Sequence, residues 1–455
     1  MKLQHSLFII PCSIFLFASC SVSKQISKRA NTVLINDTAI STGHIGISIY
    51  EPATNTYWYN YNATKNFIPA SNTKLFTLYA GMKYLGDSLV GIKYSIETDK
   101  IIIQGTGDPT LLHDKYLKQP VIDFLKTQKK EIWLDHTNWK DENWGNGWAW
   151  NDFVDNYCVE RSALPIYGNL YKFYIKDSLL KSNPPYQQDA KLDFDWSKYN
   201  NAKYPYLHLI NLPGNFSIIR DNSFTDVIRI KESTAKFTVT YLPKNINDFT
   251  NLSYLKDIVN NTDYGLDSVV SYNYFEKNVF SNIIHSQPSD SLFKPMMHRS
   301  DNFFAEQSLL MASNEHLDYM SDEKIIDTIL KSDLKDIPQK PRWVDGSGLS
   351  RYNLFTPQSF VYILNKMKNE FGWDRVKNIL PTGGTGTLSS YYKKDSSFIY
   401  AKTGTLSNNC ALSGYLITKK GKFLIFSILV NNYQSGATPV RKAVELFLTE
   451  IREKY

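Results

Sequence analysis

Pro69-Ala70-Ser71-Asn72-Thr73-Lys74-Leu75-Phe76-Thr77-Leu78-Tyr79 is the stretch on which the reading of this chain turns. Leu75, Leu78, Tyr79, Met82 and Leu85 recur at helical spacing, which predicts a helix beginning at about Ser71. A helix N-terminus leaves backbone N–H groups without intrahelical partners, and its dipole favours developing negative charge. Lys74 is one turn on, so its side chain stands beside Ser71 on the same face. A hydroxyl is a poor nucleophile until a neighbouring base takes its proton. A lysine can be that base when desolvation or nearby positive charge favours the neutral amine. The bland alternative is a capping Ser71 and a solvated Lys74. Ser-x-x-Lys alone decides nothing, because the same spacing recurs at Ser21, Ser253, Ser291, Ser321, Ser332 and Ser390, among other places.

Two later strings supply what the first lacks. In Ser300-Asp301-Asn302, Ser300 can relay a proton between Lys74 and a leaving amine, while the Asn302 amide holds a substrate backbone. Alone, that string reads equally well as a helix cap, and Ser271-Tyr272-Asn273 is a second Ser-x-Asn. Lys402-Thr403-Gly404-Thr405 reads as an edge strand. Lys402 would add positive charge beside Lys74, and with the hydroxyls of Thr403 and Thr405 would bind a terminal carboxylate. Gly404 would let the substrate approach the backbone. The backbone N–H groups of Ser71 and Thr405 would then form an oxyanion hole. Ala411 to Thr418 and Phe423 to Val430, joined by Lys419-Lys420-Gly421-Lys422, predict a hairpin after that strand.

Ser-x-x-Lys, Ser-x-Asn and Lys-Thr-Gly in that order form the motif set of penicillin-binding proteins and class A β-lactamases. Further strings narrow the resemblance: Gly105-Thr106-Gly107-Asp108-Pro109-Thr110-Leu111, Asp345-Gly346-Ser347-Gly348-Leu349-Ser350-Arg351-Tyr352-Asn353 and Ala401-Lys402-Thr403-Gly404-Thr405-Leu406. From about residue 40 to its end, the chain resembles the class C low-molecular-mass penicillin-binding proteins. These are the D-alanyl-D-alanine carboxypeptidase/endopeptidase family, peptidase family S13. The resemblance implies an α/β (α+β) fold: a β-lactamase/transpeptidase-like serine acyl-transferase domain with an antiparallel sheet and helices. It also implies that the long segment between Ser71 and Ser300 is a β-rich insertion of two smaller domains. The expected division is a catalytic domain over 20–92 and 290–455 with inserted domains over 93–289. Within the insertion, 93–165 with 265–289 would be one domain and 166–264 the other. The activity implied is cleavage of peptidoglycan stem peptides through an acyl-enzyme on Ser71, with β-lactams as covalent inhibitors and no cofactor. No Glu-x-x-Leu-Asn string follows Asn302, so fast β-lactam hydrolysis is not expected. A β-lactamase-like or esterase hydrolase, and a non-catalytic wall-binding or β-lactam-sensing protein, remain the alternative readings.

Pattern outside the motifs agrees with that architecture. Gln25 to Ile40 predicts a first helix, Ile45 to Tyr50 and Thr56 to Asn60 two strands, and Thr438 to Tyr455 a last helix. Val440, Val444, Phe447 and Ile451 would form the inner face of that last helix. Short β-like runs at Lys100 to Gln104, Tyr206 to Ile210 and Val227 to Ile230 mark the insertion. Trp148-Ala149-Trp150-Asn151-Asp152 and Tyr157 also fall there. In the family a similar turn carries an aspartate that binds the amino group of a stem-peptide diamino acid, and Asp152 matches it. Arg351 matches a partner for the far carboxylate, while Ser407 stands where some relatives have glutamine. An acid and a base at opposite ends suit a zwitterionic side chain. A purely structural Asp–Arg arrangement is the equal alternative. Asp345 and its two following glycines read as a brace for a turn near the site.

Composition narrows the class further. The chain has 455 residues, 42% of them hydrophobic, and a net charge of +7, which suits packed domains and excludes general disorder. No dense basic run or nucleic-acid motif is present, so no nucleic-acid partner is expected. The histidines lack metal-ligand spacing, and Gly383-Gly384-Thr385-Gly386-Thr387 lacks the Lys-Ser/Thr of a phosphate loop. Lys2 followed by the apolar run Leu7 to Ala18 reads as an export signal over 1–19. Leu16-Phe17-Ala18-Ser19-Cys20 resembles a bacterial lipoprotein signal, with Cys20 as the lipid-bearing residue; Phe17 departs from the usual leucine, leaving ordinary signal cleavage open. The expected location is the bacterial periplasm, tethered to the membrane by that single lipid-modified terminus. Cys158 and Cys410 would then be the only thiols of the folded body, paired or free.

Overall fold

The computed structural model describes residues 22–128, 130–176, 179–184, 207–210, 217–220, 228–231, 239–244, 255, 258–259, 269–272 and 280–455. Packing divides the chain into two compact units. One is Met1–Tyr79 with Lys294–Ser300 and Thr328–Tyr455; the other is Ala80–Phe293 with Asp301–Asp327.

The first unit is built on a five-stranded sheet. Its order is Ile399–Leu406, Asn409–Ile417, Phe423–Asn431, His44–Glu51 and Thr56–Tyr61, and every pairing is antiparallel. Asn409–Ile417 and Phe423–Asn431 are buried along nearly their whole length, as central strands covered on both faces must be. One face is closed by the terminal helices: Ile26, Ala30, Val440, Val444, Phe447 and Ile451 pack with Ile399, Ala401, Ile428 and Val430. Truncating Phe447 there would cost about 3–5 kcal/mol. The helix Pro357–Phe371 is capped by Thr356, whose side chain accepts from Ser359 N, with Pro at the first helical position. It packs toward the sheet, where Tyr415 Oη donates to Leu364 O at 2.8 Å. Phe76, Phe355, Phe360 and Trp343 form an aromatic cluster beside it.

The strands and last helix expected from sequence in this unit are present to within a residue or two. The first helix is shorter than expected. It is α-helical over 22–30 and widens into a π turn at Asn31–Ile35, closed by Asn36 N donating to Asn31 O. Asp37 Oδ1 then accepts from Ala39 N at 2.8 Å, an Asx turn that competes with further helix.

The second unit contains a mixed five-stranded sheet. Val269–Tyr272, Glu131–Asp135 and Lys100–Gly105 run parallel; Ser88–Ile96 and Asn282–Pro288 complete it antiparallel. Ile92, Ile101, Ile103, Ile132 and Leu134 pack against Val121, Ile122 and Leu125 of the helix Pro120–Thr127. Two three-stranded sheets are also present: Thr240–Pro243, Leu170–Lys176 and Leu179–Asn183 form one, and Leu207–Ile210, Ile228–Lys231 and Ser217–Arg220 the other. The expected strand starts at Tyr206 and Val227 lie outside the described residues. The helix Asn302–Leu317 is buried over most of its length.

A charged cluster within this unit escaped the sequence reading. Arg161, only 1% exposed, lies 2.8 Å from Asp141 Oδ1, 2.5 Å from Asp322 Oδ2 and 3.5 Å from Glu306 Oε2. It also donates to Glu142 O at 2.8 Å. Burial, reinforced by the Asp322 charge and opposed by Arg161, pushes the Asp141 carboxyl up to about 6. Three carboxylates around one guanidinium leave excess negative charge, and protonation relieves it.

Candidate active site

Within the first unit, Ser71 lies in a 3-10 turn, Ala70–Thr73, that leads directly into the helix Lys74–Tyr84. Ala70 immediately before it has φ 48°, a left-handed conformation that sets the turn. Asn72 anchors the turn to the sheet: its Nδ2 donates to Ser413 Oγ at 2.7 Å, and Ser413 Oγ donates to Ser427 Oγ at 2.8 Å. Lys74 is fully buried, and its Nζ is 3.1 Å from Ser71 Oγ and 2.7 Å from Ser347 O. Ser71 and Lys74, the expected nucleophile and base, are therefore in hydrogen-bond contact, as their spacing predicts.

Ser347 belongs to the Asp345–Asn353 loop, which folds around one buried carboxylate. Asp345 Oδ1 accepts from Gly348 N at 2.8 Å and Asn353 Nδ2 at 2.7 Å, and Oδ2 accepts from Ser350 N at 2.7 Å. The loop presents two carbonyls to the Ser71 helix: Ser347 O to Lys74, and Gly346 O to Thr77 Oγ1 at 2.5 Å. Gly348 has φ +84°, and a Cβ there would fall 2.0 Å from Ala70 O. Only glycine fits. Asp345 thus braces the loop that holds Lys74.

Lys402 lies on the edge strand Ile399–Leu406 and is also fully buried. Its Nζ donates to Ser300 Oγ at 2.8 Å and to Thr403 O at 2.7 Å. Burial first, and the Lys74 charge second, hold its ammonium well below the usual lysine range. Like charges in a dry site disfavour each other. Ser300 has φ 59°, and the next residue, Asp301, caps the helix Asn302–Leu317 by accepting from Phe304 N at 3.1 Å. The capping reading of this string is realised, and Ser300 is at the same time in hydrogen-bond contact with Lys402.

The edge strand passes close to the Ser71 turn. A Cβ on Gly404 would stand 2.5 Å from Pro69 O and 3.1 Å from Ser71 N, so only glycine permits that approach. Ala401 N donates outward to Pro381 O at 3.0 Å, away from the neighbouring strand. By the two-residue strand repeat, the N–H groups of Thr403 and Thr405 point to the same outer edge. The Thr405 side chain is exposed, and its Oγ1 accepts from Arg441 Nη2 at 2.6 Å. Arg441 had no motif to mark it in the sequence.

Asn302 and Asp152 belong to the second unit. There Asn302 Nδ2 donates to Tyr157 O at 2.8 Å, and Tyr157 Oη donates to Asp152 Oδ1 at 3.1 Å. The Asp152–Tyr157 turn and Asn302 are thus directly linked, a connection that separation along the chain concealed. Arg351 belongs to the first unit, is exposed, and has no ion pair among the described residues. Cys158 and Cys410 are buried and neither forms a disulfide. No group of residues suited to hold a metal occurs among the described residues. Cys20 and the rest of the export segment lie outside the described residues. Among the described residues, no helix is long and apolar enough to cross a membrane.

Comparison with known proteins adds independent findings. The profile of the D-Ala-D-Ala carboxypeptidase 3 (S13) family matches residues 28–192 and 268–451. The D-alanyl-D-alanine carboxypeptidase of Actinomadura sp. (strain R39) is 25% identical over 462 residues, covering 92% of this chain and 83% of its own. The crystal structure of penicillin-binding protein 4 (dacB) from Haemophilus influenzae aligns with a TM-score of 0.72 at 19% identity, over 94% of this chain and 99% of that one. The same Haemophilus influenzae protein in complex with a β-lactam aligns with a TM-score of 0.67 at 17% identity, over 95% and 99%.

Proposed function

The chain belongs to the D-Ala-D-Ala carboxypeptidase 3 (S13) family and is a serine-type DD-peptidase; from that premise we propose that Ser71 is its nucleophile, Lys74 its base and Ser300 its proton relay. The observation that carries the proposal is the paired contact of two buried lysines with two serines, Lys74 Nζ to Ser71 Oγ at 3.1 Å and Lys402 Nζ to Ser300 Oγ at 2.8 Å.

In the forward step, Lys74 as the neutral amine takes the Ser71 proton while Oγ attacks the carbonyl of the penultimate D-alanine. The N–H groups of Ser71 and Thr405 hold the resulting oxyanion; one such donor is worth about a hundredfold or more in rate. Collapse breaks the peptide C–N bond. The proton on Lys74 passes through Ser300 to the leaving amine, and Lys402 orients the Ser300 hydroxyl. Water then attacks the acyl-serine and gives a proton to Lys74; the acyl C–O bond breaks as Lys74 passes that proton to Ser71 Oγ, which releases the shortened peptide and restores both groups. Asn302 would hold the substrate backbone, and Lys402, Thr403, Gly404 and Thr405 would receive the terminal carboxylate. By the family resemblance, Asp152 would bind an amino group of the stem peptide and Arg351 a carboxylate. Penicillins would acylate Ser71 by the same attack; the β-lactam complex of the Haemophilus influenzae protein supports that extension.

The same chemistry cuts a terminal D-alanine or a D-alanyl cross-link, so both carboxypeptidase and endopeptidase action are proposed. The insertion of 93–289 into a catalytic domain of 20–92 and 290–455 belongs to this reading. So does an envelope location with a lipid on Cys20, supported by the Leu16–Cys20 string. The test is to give the purified enzyme a stem pentapeptide and a D-alanyl-cross-linked muropeptide dimer, following products by mass spectrometry. Release of free D-alanine, of monomers, or of both by wild type, with neither released by Ser71→Ala, is expected. Equal activity in the Ser71→Ala protein would refute the assignment.

A further inference from the structure

Arg441 stands one turn into the helix Ala437–Lys454 and is half-buried. Its Nη2 donates to Thr405 Oγ1 at 2.6 Å. A guanidinium can only donate, so Thr405 must use an oxygen lone pair there, and its own hydrogen is left to point elsewhere. Thr405 is exposed near the end of the edge strand Ile399–Leu406, and no acceptor for that hydrogen is recorded among the described residues. A hydroxyl that accepts from a cation is polarised, which strengthens it as a donor. The Thr405 N–H points to the same outer edge by the strand repeat. Arg441 also borders an apolar recess with Thr403, Cys410, Tyr392 and Val444, where its charge is less screened than in open water.

We propose that Arg441 is a positioning and specificity residue for the C-terminal carboxylate of the substrate: it fixes the Thr405 hydroxyl as a donor toward that anion and adds positive charge behind it. This inference rests on the reading of Ser71, Lys74, Ser300 and Lys402 as a DD-peptidase site and deepens it. The enzyme thereby prefers a leaving group that ends in a free carboxylate over one that ends in a neutral amide. A purely structural Arg441, tying helix to strand, would impose no such preference.

The test compares kcat and KM for an N-acylated peptide ending in D-Ala-D-Ala with the same peptide ending in D-Ala-D-alaninamide. The proteins are wild type, Arg441→Met, Arg441→Lys, Thr405→Val and the Arg441→Met/Thr405→Val double variant. Arg441→Met is expected to raise KM for the acid about tenfold with kcat nearly unchanged, the worth of one charge-assisted contact. The amide substrate should change by less than about twofold. Arg441→Lys should recover part of the loss, because it restores charge without the planar fork. In the Thr405→Val background, Arg441→Met should cost clearly less than in wild type, since its route through the hydroxyl is gone. Equal losses on acid and amide, a fall in kcat alone, or fully multiplicative losses in the double variant would overturn the proposal. Fluorescent penicillin labelling of every protein to completion separates the two levels of the argument. A wild type that neither labels nor cleaves overturns the site reading and this inference together. Labelled variants with an unchanged acid-to-amide ratio overturn this inference alone.

Discussion

Gly348→Ala is a one-carbon change with a calculable effect on the nucleophile. The new Cβ would meet Ala70 O at 2.0 Å, Ala70 C at 2.5 Å and Thr73 Oγ1 at 2.9 Å, two of them backbone atoms that cannot rotate away. Relief needs a separation of about 1 Å between the loop and the Ser71 turn, since packed interiors leave no slack. The left-handed φ of +84° adds about 1–2 kcal/mol for any L side chain. Overpacking adds about 1–3 kcal/mol, so about 2–5 kcal/mol of native stability is at stake. The same shift moves Ser347 O away from Lys74 Nζ, now at 2.7 Å. A misplacement of about 1 Å at a reacting group costs about a hundredfold in rate. Second-order acylation by a fluorescent penicillin should therefore fall about a hundredfold, while a lowered melting temperature reports the strain. Acylation within about threefold of wild type at an unchanged melting temperature would refute this account of how Lys74 is held.

Two further outcomes follow from buried groups. Asp345→Asn replaces an acceptor-only carboxylate with an amide that can face the N–H groups of Gly348 and Ser350 with only one oxygen, now 2.8 and 2.7 Å away from two. A loss of about 1–3 kcal/mol in urea unfolding is expected, with acylation slowed; an unchanged midpoint would contradict it. Asp141 is pushed up to about 6, above the ordinary aspartate value of about 4, so between those values the folded chain holds a proton that the unfolded chain has released. Stability therefore falls as pH rises from about 4 to about 6, by something on the order of 2 kcal/mol from this group, and is flat above. Urea midpoints across that range should lose this slope in Asp141→Asn; an identical profile would contradict the cluster argument.

How much was legible depended on how local each signal was. Ser71 with Lys74 is a spacing of one helical turn, so the sequence alone brings the two side chains together. The edge strand with Lys402, and the hairpin after it, were readable because apolar runs and a Lys-Gly turn sit next to each other. The first helix was overestimated because Asp37 offers the backbone a side-chain acceptor that periodicity ignores. Arg441, Arg161 and the Tyr157 carbonyl were missed for a common reason. Each meets its partner across many residues of chain, through a lone polar group with no period or motif around it. Gly348 and Gly404 stood out as motif letters, but only the fold shows what their missing Cβ atoms make room for.

The most direct measurement is mass spectrometry of intact and digested protein after incubation with benzylpenicillin, in wild type and in Ser71→Ala. The account predicts one penicilloyl adduct per wild-type chain, on the peptide containing Ser71, and none in the variant. An adduct on another residue, or none on a folded wild type, would contradict the assignment of Ser71 as the nucleophile.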